Sequence, residues 1–95
     1  MAVGIPESAA SRRLSNRALN ELRPAGITFT PDGERQFREF VARAVDRYDG
    51  DAERNFGSLV TRIIAIAEEQ GVTRIDASIW RKIRDSLCPL WGWCD

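Results

Sequence analysis

The sequence predicts an all-α fold, a compact bundle of about four helices, with a small two-stranded β ribbon as an optional addition. Three observations predict it. Apolar residues recur at helical period in four segments, and those segments are bracketed by proline, glycine or capping residues. Two short non-helical stretches, Ile27–Thr30 and Val72–Ile75, are β-branched and each directly precedes a helix. A chain of 95 residues with 43 % hydrophobic content has room for one core and is too apolar to stay disordered.

The first helix is expected from about Ser8 to Leu22. Ala10, Leu14, Ala18 and Leu22, supplemented by Leu19, form its apolar stripe, and Pro24 ends it because the residue before a proline is pushed from the α region. The second has the clearest signal, from Pro31 to Tyr48. Phe37, Phe40, Val41, Ala44, Val45 and Tyr48 fall on one stripe. Thr30 is its N-cap and Pro31 fits the first helical position, where a missing N–H costs nothing. Asp49-Gly50 is expected to stop it.

The third helix is expected from Asp51 to Gln70, closed by Gly71. Phe56, Leu59, Val60, Ile63, Ile64, Ile66 and Ala67 cover more than half its circumference, as in a helix packed on several sides. Gly57 within it costs about 1 kcal/mol against alanine, which a close helix crossing or a late start would explain. The last helix is expected after the cap Asp76. It carries Ile79, Trp80, Ile83 and Leu87, and Pro89 is expected to stop it. The stretches Ile27–Thr30 and Val72–Ile75 are candidates to pair as the ribbon, and no internal repeat is visible. Residues 1–87 thus read as one helical domain and 88–95 as a Cys/Trp-rich tail.

Ala67 to Asp76, A-E-E-Q-G-V-T-R-I-D, resembles the helix–glycine–extended element of histone-like folds. It is also similar to the small helical module at the end of the dark-operative protochlorophyllide reductase B subunit. The likeness covers about a third of the chain at most. It implies a helical module and says nothing about the tail.

Composition removes several function classes. Acidic and basic residues balance at 14 each, so no global field draws a polyanion or an anionic membrane. The absence of histidine removes Ser-His-Asp and Cys-His catalysis and the commonest ligand of catalytic zinc. No catalytic residue, cofactor or metal site is expected. No run approaches the roughly 20 apolar residues of a membrane span and no targeting segment is visible, so a cytoplasmic protein is expected. The acidic turn of Asp46, Asp49, Asp51 and Glu53 fails the EF-hand register, because its third and fifth positions would be Tyr48 and Gly50. Three i,i+4 pairs, Glu34–Arg38, Glu39–Arg43 and Arg81–Asp85, are expected to stabilise solvated helix faces by about 0.2–0.5 kcal/mol each.

What scaffold needs do not explain is the end of the chain, where Cys88, Trp91, Trp93 and Cys94 gather. One expectation is a clasp, in which the tryptophans fold back on the helices. A disulfide between Cys88 and Cys94 would then contribute about 2–2.5 kcal/mol. Another is an exposed aromatic anchor for a protein partner, with Trp91 and Trp93 supported by Trp80 and Arg84 and with Arg81 on the rim. A third is a ribosomal peptide precursor whose residues 88–95 a modifying enzyme would process. Redox or metal chemistry would need Asp85, Asp95 or a second subunit beside the two thiolates. Nucleic-acid binding would use Arg12, Arg13, Arg17 and Arg81, provided the first and last helices are neighbours. The reading favoured is a small non-enzymatic accessory or interaction module, acting on a protein partner or on itself as a homodimer.

Overall fold

The computed structural model describes residues 8–48 and 56–91, and for 46–48, 56 and 88–91 it describes the backbone alone. Among these residues the order is α1 (Ala9–Leu22), a 3-10 turn (Arg23–Ala25), β1 (Thr28–Phe29), α2 (Pro31–Tyr48), α3 (Phe56–Gln70), β2 (Arg74–Ile75) and α4 (Ala77–Trp91). The fold is an all-α bundle with a small two-stranded sheet, and the sheet is parallel, with Thr28 opposite Arg74 and Phe29 opposite Ile75. The expected stop at Asp49-Gly50 and the acidic turn lie outside the described residues, apart from the backbone of Asp46.

Although the sequence shows no repeat, the backbone uses one device twice. At the end of α1, Gly26 takes φ +79°, its N–H donates to the Arg23 carbonyl at 2.9 Å, and the Ile27 N–H donates to the Leu22 carbonyl at 3.2 Å. At the end of α3, Gly71 takes φ +68°, its N–H donates to Glu68 at 3.1 Å, and Val72 donates to Ala67 at 3.0 Å. Both are glycine C-caps with paired bonds that satisfy the last helical carbonyls. A short extended link follows, then an N-capped helix. The Gly33 N–H donates to Thr30 Oγ1 at 3.1 Å in α2, and the Ile79 N–H donates to Asp76 Oδ1 at 2.8 Å in α4. The second link is one residue longer, so the offset is 45 at the glycines and 46 at the caps. That slip hides the repeat from a fixed-period search.

The ribbon ties the two units together. The Thr28 N–H donates to the Thr73 carbonyl and the Thr30 N–H to the Ile75 carbonyl, both at 2.9 Å. Directly above that second bond sits Gly33, buried in the first turn of α2. A Cβ there would overlap the Ile75 carbonyl oxygen and lie 3.1 Å from the Asp76 carbonyl carbon. Only glycine lets the start of α2 come so near the start of α4.

α1 packs mainly on α2 and α3, and α4 also packs mainly on α2 and α3. Trp80, 1 % exposed, is the largest core side chain. Its ring meets Phe37 edge-on at 5.3 Å, Phe40 at 5.4 Å and Phe29 at 6.1 Å between centroids, and Phe29 stacks on Phe37 at 5.0 Å. Such contacts contribute about 0.5–1.5 kcal/mol each beyond the area they bury. Leu22, Ile63, Ile75, Ile83 and Leu87 complete the centre.

Four local expectations change. The buried face of α1 is Ser11, Ser15, Ala18 and Leu22, while Ala10 is half-buried and Leu14 and Leu19 lie at its margin. Small side chains line this face, and the Ser11 hydroxyl is satisfied locally by donating to the Ser8 carbonyl at 3.0 Å. Arg23 stays in the α region (φ −59°, ψ −46°) despite preceding Pro24, because the chain tightens into a 3-10 turn there. Among the described residues nothing lies within 4 Å of a Cβ at Gly57, so none of them makes a close helix crossing there. Finally, α4 does not stop before Pro89 but runs on to Trp91. A proline so near a helix end removes one N–H, the partner of the Asp85 carbonyl, on the exposed side where water can replace it.

Candidate functional site, a cleft between the second and fourth helices

The helical spacing of α4 sorts its side chains into two stripes. Trp80, Ile83 and Leu87 face the core, whereas Arg81 and Arg84 fall just beside them. On α2, Phe37, Val41 and Ala44 face the core, and Gln36, Glu39 and Arg43 lie beyond, with Phe40 at the border. Both helices start at the ribbon and pack on one another, so these flanking stripes oppose each other. The result is a cleft of about 280 Å³ lined by Gln36, Glu39, Phe40, Arg43, Arg81 and Arg84. Phe40 is also in contact with Trp80, so the cleft rests on the aromatic core.

The electrostatics of this cleft differ from expectation. The Glu34–Arg38 pair forms, at 3.0 Å. Among the described residues the Glu39–Arg43 and Arg81–Asp85 pairs do not, and neither Arg43 nor Arg81 has a carboxylate within 4 Å. Arg84 reaches only its neighbour Asp85, at 3.8 Å, and that carboxylate is 75 % exposed. Three guanidinium groups and one carboxylate therefore line the cleft, a formal surplus of two positive charges on a chain whose total is zero. Spacing alone permits an i,i+4 pair but does not make one. On an exposed face the gain of a few tenths of a kcal/mol competes with the entropy of holding two long side chains.

The other residues singled out by sequence fall as follows. Trp80 is enclosed in the core and supports the cleft from behind. Arg81 and Arg84 line it. The continuation of α4 puts the backbone of Cys88 and Trp91 at i+7 and i+10 from Arg81, in line with Arg84 at i+3. The side chains of Cys88 and Trp91, all of Trp93 and Cys94, and with them the clasp and the disulfide, lie outside the described residues. Arg12, Arg13 and Arg17 are exposed on α1, with Arg17 bonded to Glu21 at 3.1 Å. Arg81 lies on α4, and the main packing partners of both α1 and α4 are α2 and α3.

Sequence reasoning missed Gln36, Phe40 and Arg43 as members of a site. The signal was present in the ribbon. Parallel pairing of the two extended links sets the helices that follow them side by side, which makes neighbours of α2 and α4. A second, shallower hollow lies on the exposed side of α3 over Gly57, Ser58, Thr61, Arg62 and Ala65, with a single cation and no aromatic. The α2–α4 cleft is the richer in groups that can recognise a ligand.

The fold defines a class, a small helical bundle organised by a parallel two-stranded ribbon. No family model, curated protein or solved structure matches the chain. Among the described residues no helix is long and apolar enough to cross a membrane.

Proposed function

We propose that this protein is a non-enzymatic interaction module that docks a protein partner along α4 and the cleft beside it. The observation that carries the reading is the unbroken course of α4 through Pro89. It puts the backbone positions of Arg81, Arg84, Cys88 and Trp91 along one line of one helix, and the side chains of Arg81 and Arg84 line the opening with Phe40 and Arg43. Arginine and tryptophan are the residue types that dominate the energetics of protein interfaces. A buried aromatic core behind the stripe keeps it in place, and a rigid surface loses less entropy on docking.

The test is co-purification from the native host with the full chain, the Trp91→Ala/Trp93→Ala double variant and Arg84→Ala, each checked for helical content. One defined partner, held in constant stoichiometry by the wild-type chain and lost from both variants, is the expected result. Retention of that partner by both variants sinks the proposal. A change of mass confined to residues 88–95 on co-expression with neighbouring genes favours the peptide-precursor reading instead.

A further inference from the structure

We infer that the α2–α4 cleft receives carboxylate side chains from an acidic segment of the partner. This rests on the reading of the chain as an interaction module and adds the chemistry of what it recognises.

Arg43 and Arg81 have no ion-pair partner among the described residues, and Arg84 has only a long contact to an exposed neighbour. Guanidinium groups present donors in a planar fork that suits carboxylate and phosphate alike. Two features favour carboxylates. The cleft is walled by the sides of two helices, whose backbone N–H groups are already bonded within the helix. No backbone nest is therefore offered, and such a nest is what usually cradles a phosphate. Glu39 stands among the arginines and penalises a compact dianion more than it does two separated single charges. Gln36 supplies an amide that can pair with the backbone of an incoming segment, and Phe40 gives its aliphatic stems an apolar wall.

Glu39 has a second consequence. A carboxylate without an ion pair among the described residues, set beside three cations, lowers the affinity of the site for any anion. Its removal should therefore tighten binding, and a misfolded variant cannot imitate a gain.

The experiment uses the full chain labelled with ¹⁵N and follows the arginine Nε–Hε resonances during titration at low salt. The probes are a short oligo-glutamate, an oligo-lysine of equal length and inorganic phosphate. Oligo-glutamate should shift Arg43, Arg81 and Arg84 saturably and leave Arg13 and Arg74, on other faces, unmoved. Arg43→Gln and Arg84→Gln should each weaken this binding by about threefold to tenfold, Arg13→Gln should not change it, and Glu39→Gln should strengthen it about twofold to threefold. Oligo-lysine and phosphate should leave the three cleft signals in place. The inference is overturned by an absent or non-saturable response, by an equal response to phosphate, or by a Glu39→Gln variant no tighter than wild type. If the cleft fails while the tryptophan variants still lose their partner, the acidic-segment inference falls and the module reading stands. If oligo-glutamate binds but no tail-dependent partner exists, the reverse holds.

Discussion

The two helix–link–helix units share a backbone device and differ in what their charges do. In the first, α1–β1–α2, three arginines are paired with carboxylates. Arg17 meets Glu21 at 3.1 Å, Arg35 meets Asp32 at 3.3 Å, and Arg38 bridges Glu34 at 3.0 Å and Asn16 at 2.7 Å, joining α1 to α2. In the second, α3–β2–α4, the one ion pair among the described residues is the loose contact of Arg84 with Asp85. The difference teaches that the device needs a glycine with positive φ, a short extended link and a capping oxygen, and is indifferent to the surface charge around it. Among the described residues the cations without a close carboxylate lie on the outer flank of α4, where Arg43 of α2 joins them.

The comparison breaks most visibly at the joint between the units. Gly33 and Ile79 hold the same position, third in their helices, and at Gly33 that position lies against the backbone of Ile75 and Asp76. Gly33→Ala should destabilise the protein by about 1–3 kcal/mol, because either the Thr30–Ile75 hydrogen bond or the α2–α4 contact must open. Gly57→Ala, with open space around its Cβ, should stabilise it by about 0.4–1 kcal/mol through the unfolded chain. Urea denaturation reads both. Equal effects at the two glycines would show that the starts of α2 and α4 are not held together by close backbone approach.

That joint also marks where sequence reasoning reaches its limit. Thr30, Pro31, Asp76 and Gly71 announce their roles because capping chemistry is local and involves only the next few backbone groups. The bounds of α2 and the stripe of Phe37, Phe40, Val41 and Ala44 follow from periodicity in the same way. Gly33 carries no such signal, since its reason is the carbonyl of Ile75, more than forty residues away. The cleft was half visible. Arg81 and Arg84 drew notice, but their partners across the gap depend on which helices are neighbours, a tertiary fact encoded by two strands of two residues each. Pro89 misled for the opposite reason. The rule that proline ends a helix concerns helix interiors, and here the lost hydrogen bond falls within the last turns.

A smaller effect sharpens the contrast in charge. Arg38, whose side chain is 25 % exposed, ties α1 to α2, so Arg38→Ala should cost about 1 kcal/mol, a loss that shrinks as salt is added. Arg84→Ala should stay within about 0.5 kcal/mol of the wild type, because its contact with Asp85 is long and solvated. Thermal unfolding at low and high ionic strength separates the two. A large destabilisation by Arg84→Ala would mean that the cations of α4 serve the fold and are not held for a ligand.

The smallest test compares the incoming helices, α1 and α3. At the offset of 45 that relates their glycine caps, Ser15 of α1 matches Val60 of α3, and Ala18 matches Ile63. Where α3 fills the core with branched apolar side chains, α1 places a serine that is fully buried and whose hydroxyl has no hydrogen-bond partner. A hydroxyl enclosed this way carries a desolvation penalty, and serine is the poorer helix former. Removing the oxygen leaves only a small void. Ser15→Ala should therefore stabilise the protein by about 0.5–1 kcal/mol. Ser11→Ala, four residues earlier on the same face, should act in the opposite direction, since its hydroxyl donates to the Ser8 carbonyl and supports the start of the helix. Urea midpoints measured side by side decide it. A loss of stability in Ser15→Ala would mean that its hydroxyl is satisfied in solution, and that α1 packs less closely at this position than α3 does at Val60.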